Sequence, residues 1–185
     1  MAEAKQRAKK KWFQIVGKGE LDKKVLGESL AVTPHTLIGK HLSLNLMALT
    51  GDPKRQSVTL DFEVVAVDGT SGVAEMVAYR ISSSHIKRVV RKAITKVEDS
   101  FVVKSKDNTS FRVKPLLISR FRMTKKVSHA IRKKTRELLQ HSFASASSEN
   151  IFSYVISNRL QMDLKKDLKK IFPLAISEIR VLEKL

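Results

Sequence analysis

The stretch Phe101–Gln140, FVVKSKDNTSFRVKPLLISRFRMTKKVSHAIRKKTRELLQ, passes from alternating apolar and basic residues into a basic helical pattern. Within Phe101–Val113, two short runs rich in Val and Phe flank Asp107-Asn108, a pair that tolerates left-handed turn geometry. This pattern predicts a β-hairpin over 101–113. Leu116–Met123 is predicted to continue as a third strand.

The predicted strand around Phe111 has two chemically different faces. Phe111 and Val113 alternate with Arg112 and Lys114, and successive side chains of a strand point to opposite sides of the sheet. We therefore expect the apolar pair to face the core. Arg112 and Lys114 are expected to form a basic sheet face.

A helical wheel of about 100° per residue predicts an amphipathic helix after this strand. Its apolar arc contains Val127, Ala130, Ile131 and Leu138. Lys134 falls inside the same arc, so its stem is expected to lie along the core with its ammonium reaching solvent, unless it pairs with Glu137. The cations assigned to the solvent side are Lys125, Lys126, Arg132, Lys133 and Arg136.

The segment Ser82–Lys96, SSSHIKRVVRKAITK, shows the same division and predicts a second basic amphipathic helix. The apolar side consists of Ile86, Val89, Val90, Ala93 and Ile94. The basic side consists of Lys87, Arg88, Arg91 and Lys92.

The charge balance points to a polyanionic partner. The chain has 185 residues, with 36 Lys and Arg against 18 Asp and Glu, for a net charge of +18. Such an excess exceeds what solubility requires and is typical of nucleic-acid-binding proteins. No apolar run approaches the roughly 18 residues of a membrane span, so we expect no membrane partner.

A basic helix face is most often only solvated. Few carboxylates lie one turn from these cations, and like charges such as Lys87 and Arg91 repel mildly unless an anion lies between them. The sequence therefore favours contact with RNA or DNA phosphates.

The N-terminal residues 1–11 are predicted to be a basic tail that is disordered when alone. Lys9, Lys10 and Lys11 precede Trp12 and Phe13, and cations beside aromatic rings suit phosphate contact with base stacking. The alternative is that both aromatic residues pack into the core. The start of the chain shows no apolar segment of a secretory signal. The whole chain contains no Cys, and both features fit a cytoplasmic location.

The remaining elements are read from periodicity and turn residues. The Gly-containing stretch 17–34 is predicted to be loop-rich, and a strand is predicted from His41 to the turn at 50–53. Alternation over 58–64 and 73–80, joined by Asp68-Gly69, predicts a second antiparallel hairpin.

The last third of the chain is predicted to be mainly helical. Ala144–Ser148 is a break, and Ser148 is expected to cap a helix over Glu149–Arg159. A further helix would carry Leu164, Leu168 and Ile171 before Pro173 ends it, and a final strand around 176–181 would rejoin the sheet. Together these elements indicate an α+β fold with one domain over 12–185 and a helical part from about 148.

The sequence offers little for catalysis. Asp61 and Glu63 would face the same way on a strand, as a carboxylate pair for acid–base or metal-dependent chemistry must, but the exposed face of an amphipathic strand is the better explanation. The five His residues show no metal-ligand spacing, and no nucleophile motif is present. We expect no enzymatic activity, no cofactor, no metal and no small-molecule substrate.

A series of motifs in fixed order resembles one protein family. The motifs are LTGDP at 49–53, HIKRVVRKAITKVED at 85–99, FRVKP at 111–115, AIRK at 130–133, and IFPL with EIR within 171–180. They resemble the S3Ae family, also called eS1, of small-subunit ribosomal proteins from archaea and eukaryotes. The resemblance extends from Lys10 to about Val181. It weakens at Gln14–Asp22 and in the Ser-rich linker at 144–150.

The resemblance implies an antiparallel β-barrel-like sheet core flanked by basic amphipathic helices. It also implies a structural, ribosomal-RNA-binding role on the platform of the small subunit, near the messenger exit and the 3′ end of the 16S-type RNA. Neighbouring platform proteins and messenger RNA would be partners. The absence of a long basic tail after Leu185 is similar to archaeal members. Two alternatives stay open, a free-standing RNA-binding module or chaperone, and a nucleic-acid-processing enzyme.

Overall fold

The computed structural model describes residues 9–18, 24–92 and 94–185. Predictions that concern residues 1–8, 19–23 and Ala93 lie outside these ranges. The strands are β1 (Lys11–Gly17), β2 (Val25–Ala31), β3 (His41–Asn45), β4 (Val58–Asp68), β5 (Ser71–Ile81), β6 (Lys96–Glu98), β7 (Phe101–Lys104), β8 (Ser110–Ser119) and β9 (Leu174–Lys184). The helices are α1 (Leu46–Thr50), α2 (Ser83–Val89), α3 (Lys125–Ser145), α4 (Ser148–Ile156) and α5 (Arg159–Leu168).

The chain divides into two compact units. Unit 1 comprises residues 1–44 and 61–76, and unit 2 comprises residues 45–60 and 77–185. Strands β4 and β5 have residues in both units. The single domain expected over 12–185 remains a prediction.

The described strands belong to one sheet of mixed direction. Nine strands are hydrogen-bonded, with the order β2-β1-β5-β9-β8-β6 along the main path. Most of the pairs whose register is resolved are antiparallel, but β1 pairs with β5 in parallel. The path ends at β2 and β6 without closing, so the mixed α and β composition is confirmed and the barrel-like closure is not.

Unit 1 contains a strand that the sequence does not predict. Residues 17–34 were expected to be loop-rich, yet Val25–Ala31 forms β2 and pairs with β1 from Lys11↔Ala31 onward. Leu26 and Ala31 are buried, but the residues between them are partly or fully exposed. The alternation of apolar and polar residues is too short to predict a strand from sequence. Backbone pairing with β1 stabilises the strand instead.

The hairpin of β4 and β5 is confirmed. Val58, Leu60, Phe62 and Val64 are buried and their polar neighbours are not. Asp68-Gly69 lies at the turn, where Gly69 has a φ of 57°. The strand predicted from His41 is also confirmed as β3, but it ends at Asn45, whose side chain accepts a hydrogen bond from Met47 N and starts α1.

Unit 2 contains the hairpin predicted at 101–113. Strand β7 pairs with β8 from Phe101↔Val113 to Lys104↔Ser110, and Asn108 in the turn has a φ of 58°. Phe111 and Val113 are fully buried, whereas Arg112 and Lys114 are not, so the predicted facing is confirmed.

The third strand predicted at 116–123 is wrong as a separate element. Strand β8 continues through Pro115 to Ser119, and the register shifts at Lys114/Pro115. Pro115 has no N–H to donate, and it lies where one neighbour, β7, ends and another, β6, begins. From Pro115 to Ser119 every residue is buried, which replaces the alternation expected there.

The second basic helix is much shorter than predicted. Ser82 caps it by accepting a hydrogen bond from His85 N, but the helix ends at Val89 instead of Lys96. Val90 is already extended, and Lys96–Glu98 pairs with β8 as β6. Thr95 is held by Ser119, whose hydroxyl accepts from Thr95 N at 3.0 Å. This tertiary contact overrides the helical periodicity of the segment.

Helix α3 is confirmed, but its buried face is displaced from the predicted arc. Ile131 is fully buried as expected, whereas Ala130 is exposed. The buried face continues through Thr135, Leu139 and Phe143. Thr135 occupies the interior without penalty because its hydroxyl donates to Ile131 O at 2.7 Å.

The C-terminal elements close the core of unit 2. The break is present, but Ser147 rather than Ser148 is the N-cap of α4. Ile171 lies beyond the end of α5 and is exposed. The predicted final strand is confirmed as β9, which pairs with β8 on one side and β5 on the other. A buried cluster joins these elements: Val97, Leu117, Ile131, Leu168 and Leu174.

Candidate nucleic-acid interface

The cations of α2 and the following loop are exposed and have no partner among the residues that the structure describes. Ile86 is buried and anchors the short helix, which leaves Lys87 and Arg88 on its outer side. Arg91 and Lys92 follow in the loop and are also exposed. Lys87 and Arg88 lie in the last turn, where a positive charge is favourable beside the helix carbonyls. No such compensation exists for Arg91 and Lys92.

The N-terminal end of α3 adds a second group of cations. Thr124 caps the helix, and Lys125 and Lys126 occupy its first turn with no acidic residue there. Positive charge at a helix N-terminus is unfavourable because the exposed N–H groups are themselves electropositive. Arg132 and Lys133 follow one to two turns later, and neither has an ion-pair partner in the described part of the chain. A bound phosphate would relieve this local repulsion.

Arg136 has a different environment from the other predicted cations of α3. Its Nη2 lies 2.9 Å from Asp99 Oδ2, and its guanidinium lies 5.2 Å from the centre of the Phe101 ring. The carboxylate is mostly buried, with 16% of its side chain exposed. Arg136 therefore connects α3 to the start of β7, and its charge is already neutralised.

Lys134 is exposed and does not lie in the core. Its Nζ is 3.3 Å from Glu137 Oε2, and both side chains are about half exposed at 49%. The buried arc of α3 is centred nearer Thr135 and Leu139 than the sequence pattern predicts, so Lys134 falls at its margin. The pairing with Glu137, one of the two outcomes considered for this residue, is the one observed.

The predicted basic sheet face is a face of mixed charge. Arg112 Nη1 lies 3.7 Å from Glu183 Oε2, and the same glutamate is 3.4 Å from Arg80. Lys114 lines a shallow depression together with Glu98, Asp99 and Arg180, and Arg180 lies 3.4 Å from Glu98. Glu183 lies on β9, whereas Glu98 ends β6 and Asp99 follows it. The positions of these carboxylates cannot be read from the local sequence of β8.

The N-terminal cations lie in unit 1 beside an exposed aromatic residue. Lys9 and Lys10 are exposed ahead of β1, and Lys11 begins that strand. Phe13 is buried, as the core alternative requires, whereas Trp12 is 68% exposed. The strand pleat divides the two rings between opposite faces. Trp12 thus remains available beside three lysines, and Phe13 does not.

Three further exposed residues were missed by the sequence analysis. Arg120, Phe121 and Arg122 follow the end of β8, and Phe121 is 65% exposed. The alternation of ISRFRM resembles a strand, which hides the loop. The available signal was an aromatic residue between two arginines without a carboxylate nearby in sequence.

A polar cleft in unit 2 contains a strongly perturbed tyrosine. Burial raises the pKa of the Tyr79 hydroxyl far above its usual value, the Glu178 carboxylate raises it further, and Arg55 opposes the shift. Both Glu178 carboxylate oxygens lie 3.3 Å from His85 Nε2, but only Oε1 has hydrogen-bonding geometry. These contacts link β5, β9 and α2.

The carboxylate pair on β4 does not form a catalytic constellation. Asp61 Oδ1 accepts a hydrogen bond from Ser43 Oγ at 2.6 Å, and Glu63 is half-buried two residues further along the strand. Within residues 9–18, 24–92 and 94–185, no group of three or more His, Asp or Glu side chains could hold a metal ion. In the same ranges, no helix is long and apolar enough to cross a membrane.

The fold and the charge distribution define a class of protein. A mixed sheet packed against helices presents exposed, unpaired Lys and Arg from the α2 loop, the β8–α3 loop and the first turns of α3. The cations that face carboxylates belong instead to internal ion pairs. Such a separation is typical of a protein that binds nucleic acid through its phosphates.

Comparison with known proteins identifies the family. The sequence profile of the Ribosomal S3Ae family matches residues 2–185. Small ribosomal subunit protein eS1 of Nanoarchaeum equitans is 31% identical over 93% of this chain and 87% of its own length. The proteins of the same name from Halorubrum lacusprofundi and Methanobrevibacter smithii are each 26% identical over 97% of this chain, covering 83% and 96% of their own lengths.

The chain belongs to the Ribosomal S3Ae family. This is a family of structural ribosomal proteins and not of enzymes. The carboxylates Asp61 and Glu63 are therefore part of an amphipathic strand, and the nucleic-acid-processing alternative is dropped.

Proposed function

We propose that this protein is a structural constituent of the small ribosomal subunit and binds ribosomal RNA through the cations of unit 2. One observation carries the proposal, namely that Arg91, Lys92, Lys125, Lys126 and Lys133 are exposed and lack partners in the described ranges. Like charges that lie close together repel each other, and bound RNA phosphates would remove this repulsion. The names of the archaeal relatives support the same role.

The partners follow from this role. The 16S-type ribosomal RNA supplies the phosphates, and neighbouring small-subunit proteins contact the remaining surface. We further propose, on the family resemblance, that the protein lies on the platform, near the messenger exit and the 3′ end of the RNA, with messenger RNA close by. A cytoplasmic location follows from that of the ribosome.

The cation set proposed to contact RNA is revised by the geometry. Lys87, Arg88, Arg91, Lys92, Lys125, Lys126, Arg132, Lys133, Arg120 and Arg122 are retained in unit 2, and Lys9, Lys10, Lys11 and Trp12 in unit 1. Arg112, Lys134 and Arg136 are removed because each lies within 4 Å of a carboxylate. Lys114 is removed because two carboxylates share its depression.

Co-sedimentation tests the proposal directly. A tagged chain produced in its native cell should sediment with small subunits at high magnesium concentration, and it should be released by salt together with other surface-bound proteins. A chain that stays with free protein under these conditions would refute the ribosomal role. If the free chain nevertheless bound RNA, the free-standing module or chaperone would be the better description.

A further inference from the structure

We propose that the groove beside Phe121 is a stacking site for an unpaired RNA base, with Arg88, Arg91 and Arg120 holding the adjoining phosphates. This inference rests on the proposed function and adds to it a defined site and a class of ligand, single-stranded RNA. The groove has a volume of about 600 Å³ and lies between the α2 loop, the end of β8 and the start of β9.

The groove combines an apolar floor with a basic rim. Side chains of Val89, Ile94, Ile118 and Ile176 contribute apolar surface. The rim carries three arginines and no lining residue is a carboxylate. None of Arg88, Arg91 and Arg120 has an ion-pair partner among the described residues. A ligand that fits must therefore be anionic along one edge and apolar on another.

Phe121 is exposed on a loop whose backbone is fixed. The Ser119 hydroxyl is buried and lies 2.5 Å from Phe121 O, to which it donates its single hydrogen. Arg120 N donates to Pro173 O at 3.2 Å, and Met123 N donates to Thr95 Oγ1 at 3.0 Å. The ring is thus presented at 65% exposure by an ordered backbone.

The same hydrogen bonds hold the two sides of the groove together. Thr95 follows the loop that carries Arg91 and Ile94, and it is bonded to both Ser119 and Met123. Arg120 and Phe121 are therefore fixed relative to the α2 loop before any ligand arrives. Such preorganisation reduces the entropy lost on binding.

Single-stranded RNA matches this chemistry better than the other polyanions. Every base has an aromatic face that can stack on Phe121, and its phosphates can accept two hydrogen bonds from one guanidinium. In duplex RNA the base faces are stacked on each other and are inaccessible. An acidic peptide offers the charge but lacks the planar apolar group that would cover the ring.

The test uses the full chain and two short RNAs of equal length, one an oligouridylate and the other its abasic equivalent with the same phosphates. Phe121→Leu keeps an apolar side chain but removes the aromatic face. It should weaken binding of the oligouridylate about tenfold, in line with base–aromatic stacking, and leave binding of the abasic RNA unchanged. The slope of affinity against salt should not change for either RNA because no charge is removed.

Two further variants complete the design. Tyr154→Leu replaces another exposed aromatic residue, located on α4 outside the groove, and should bind both RNAs like the parent chain. Arg120→Gln should weaken both RNAs equally and reduce the salt slope, because it removes a phosphate contact and not a stacking surface. Thermal unfolding of each variant should match that of the parent chain.

Four outcomes would overturn the inference. They are equal loss of abasic and oligouridylate binding in Phe121→Leu, no loss in either, equally Phe121-dependent binding of an RNA duplex, and displacement of the oligouridylate by polyglutamate at equal charge concentration. In each case tight, salt-dependent binding of 16S-type RNA would still support the proposed function. Loss of that binding from the parent chain would instead refute the proposed function itself.

Discussion

Arg136 Nη2 lies 2.9 Å from Asp99 Oδ2, which ties the middle of α3 to the residue that follows β6. The guanidinium also lies 5.2 Å from the centre of the Phe101 ring. One arginine thus connects α3 with the loop between β6 and β7. Arg136 thus makes its contacts within the chain, although the sequence pattern predicts it to be an RNA-binding cation.

Replacing Arg136 should therefore affect folding more than RNA binding. We expect Arg136→Met to lower the free energy of unfolding by about 1 kcal/mol, a value discounted for the 48% exposure of the side chain. RNA affinity per folded molecule should stay within about twofold of the parent. Lys133→Met on the same helix is the control and should show the reverse, a loss of affinity with unchanged stability. Urea unfolding and filter binding measure the two quantities.

The salt dependence of RNA binding should reveal which cations face phosphate. Replacing Arg91 and Lys92 with Gln removes two unpaired charges, and the slope of log affinity against log salt should fall by about 1.4 to 1.8. A matched variant, Lys96→Gln with Lys134→Gln, removes two charges that already face Glu98 at 2.9 Å and Glu137 at 3.3 Å. Its slope should fall less than half as much. Equal slopes for the two variants would show that only net charge matters.

Lys134→Met should have little effect on folding. The residue is exposed, and its pair with Glu137 spans three residues on one helix, where such pairs contribute roughly 0.2–0.5 kcal/mol. We expect a change in unfolding free energy within about 0.5 kcal/mol and a smaller effect on the RNA salt slope than Lys133→Met produces. A loss of several kcal/mol in thermal or chemical unfolding would mean that the Lys134 stem belongs to the core.

Stability should fall at alkaline pH because of Tyr79. Its pKa is raised in the folded protein by burial and by Glu178, whereas an unfolded tyrosine ionises at about 10. The stabilisation from this group is therefore complete below pH of about 10 and is lost as pH rises above it. Once the unfolded chain is ionised, Tyr79 contributes a decline of about 1.4 kcal/mol per pH unit.

The variant Tyr79→Phe should reduce that alkaline decline. Unfolding free energies of the parent and of Tyr79→Phe are measured from pH 9 to 11. Above pH of about 10 the free energy of unfolding should fall more steeply for the parent than for Tyr79→Phe, because the variant has no hydroxyl to ionise at this position. Tyr154→Phe, in which the replaced tyrosine is exposed on α4, serves as the control and should follow the parent. Parallel curves for Tyr79→Phe and the parent would contradict the prediction.

Elements defined by local chemistry were predictable from sequence. The β7–β8 hairpin depends on Asn108, which adopts the positive φ that the turn needs, and on the alternation that buries Phe111 and Val113. Helix α3 and strand β9 follow from periodicity in the same way. Each of these signals is contained within about a dozen residues.

Elements defined by distant contacts were not predictable. The end of α2 at Val89 depends on Ser119 binding Thr95, 24 residues away in sequence. The end of β8 depends on the same serine, whose hydroxyl holds Phe121 O and prevents the strand from continuing to Met123. The first segment has helical periodicity and the second has strand periodicity, but tertiary hydrogen bonds end the helix at Val89 and the strand at Ser119.

In the candidate site, too, local features were predictable from sequence and distant contacts were not. Sequence identifies the cations but not their partners, because Glu183 approaches from β9 and Asp99 from the loop after β6. Arg112 and Arg136 were assigned to RNA for this reason. Phe121 was overlooked because its exposure depends on where β8 ends.

Strand β9 spans Leu174–Lys184 yet lies between β5 and β8. During synthesis the growing chain can make β8 and its flanking helices long before it makes the strand that covers the open edge of β8. That edge stays unpaired until residues up to Lys184 leave the translating ribosome, and an unpaired apolar edge is prone to association with other chains. A protein proposed to be part of the ribosome is thus vulnerable during its own translation, and a nascent-chain chaperone that shields β8 would be needed most in the interval before Lys184 emerges.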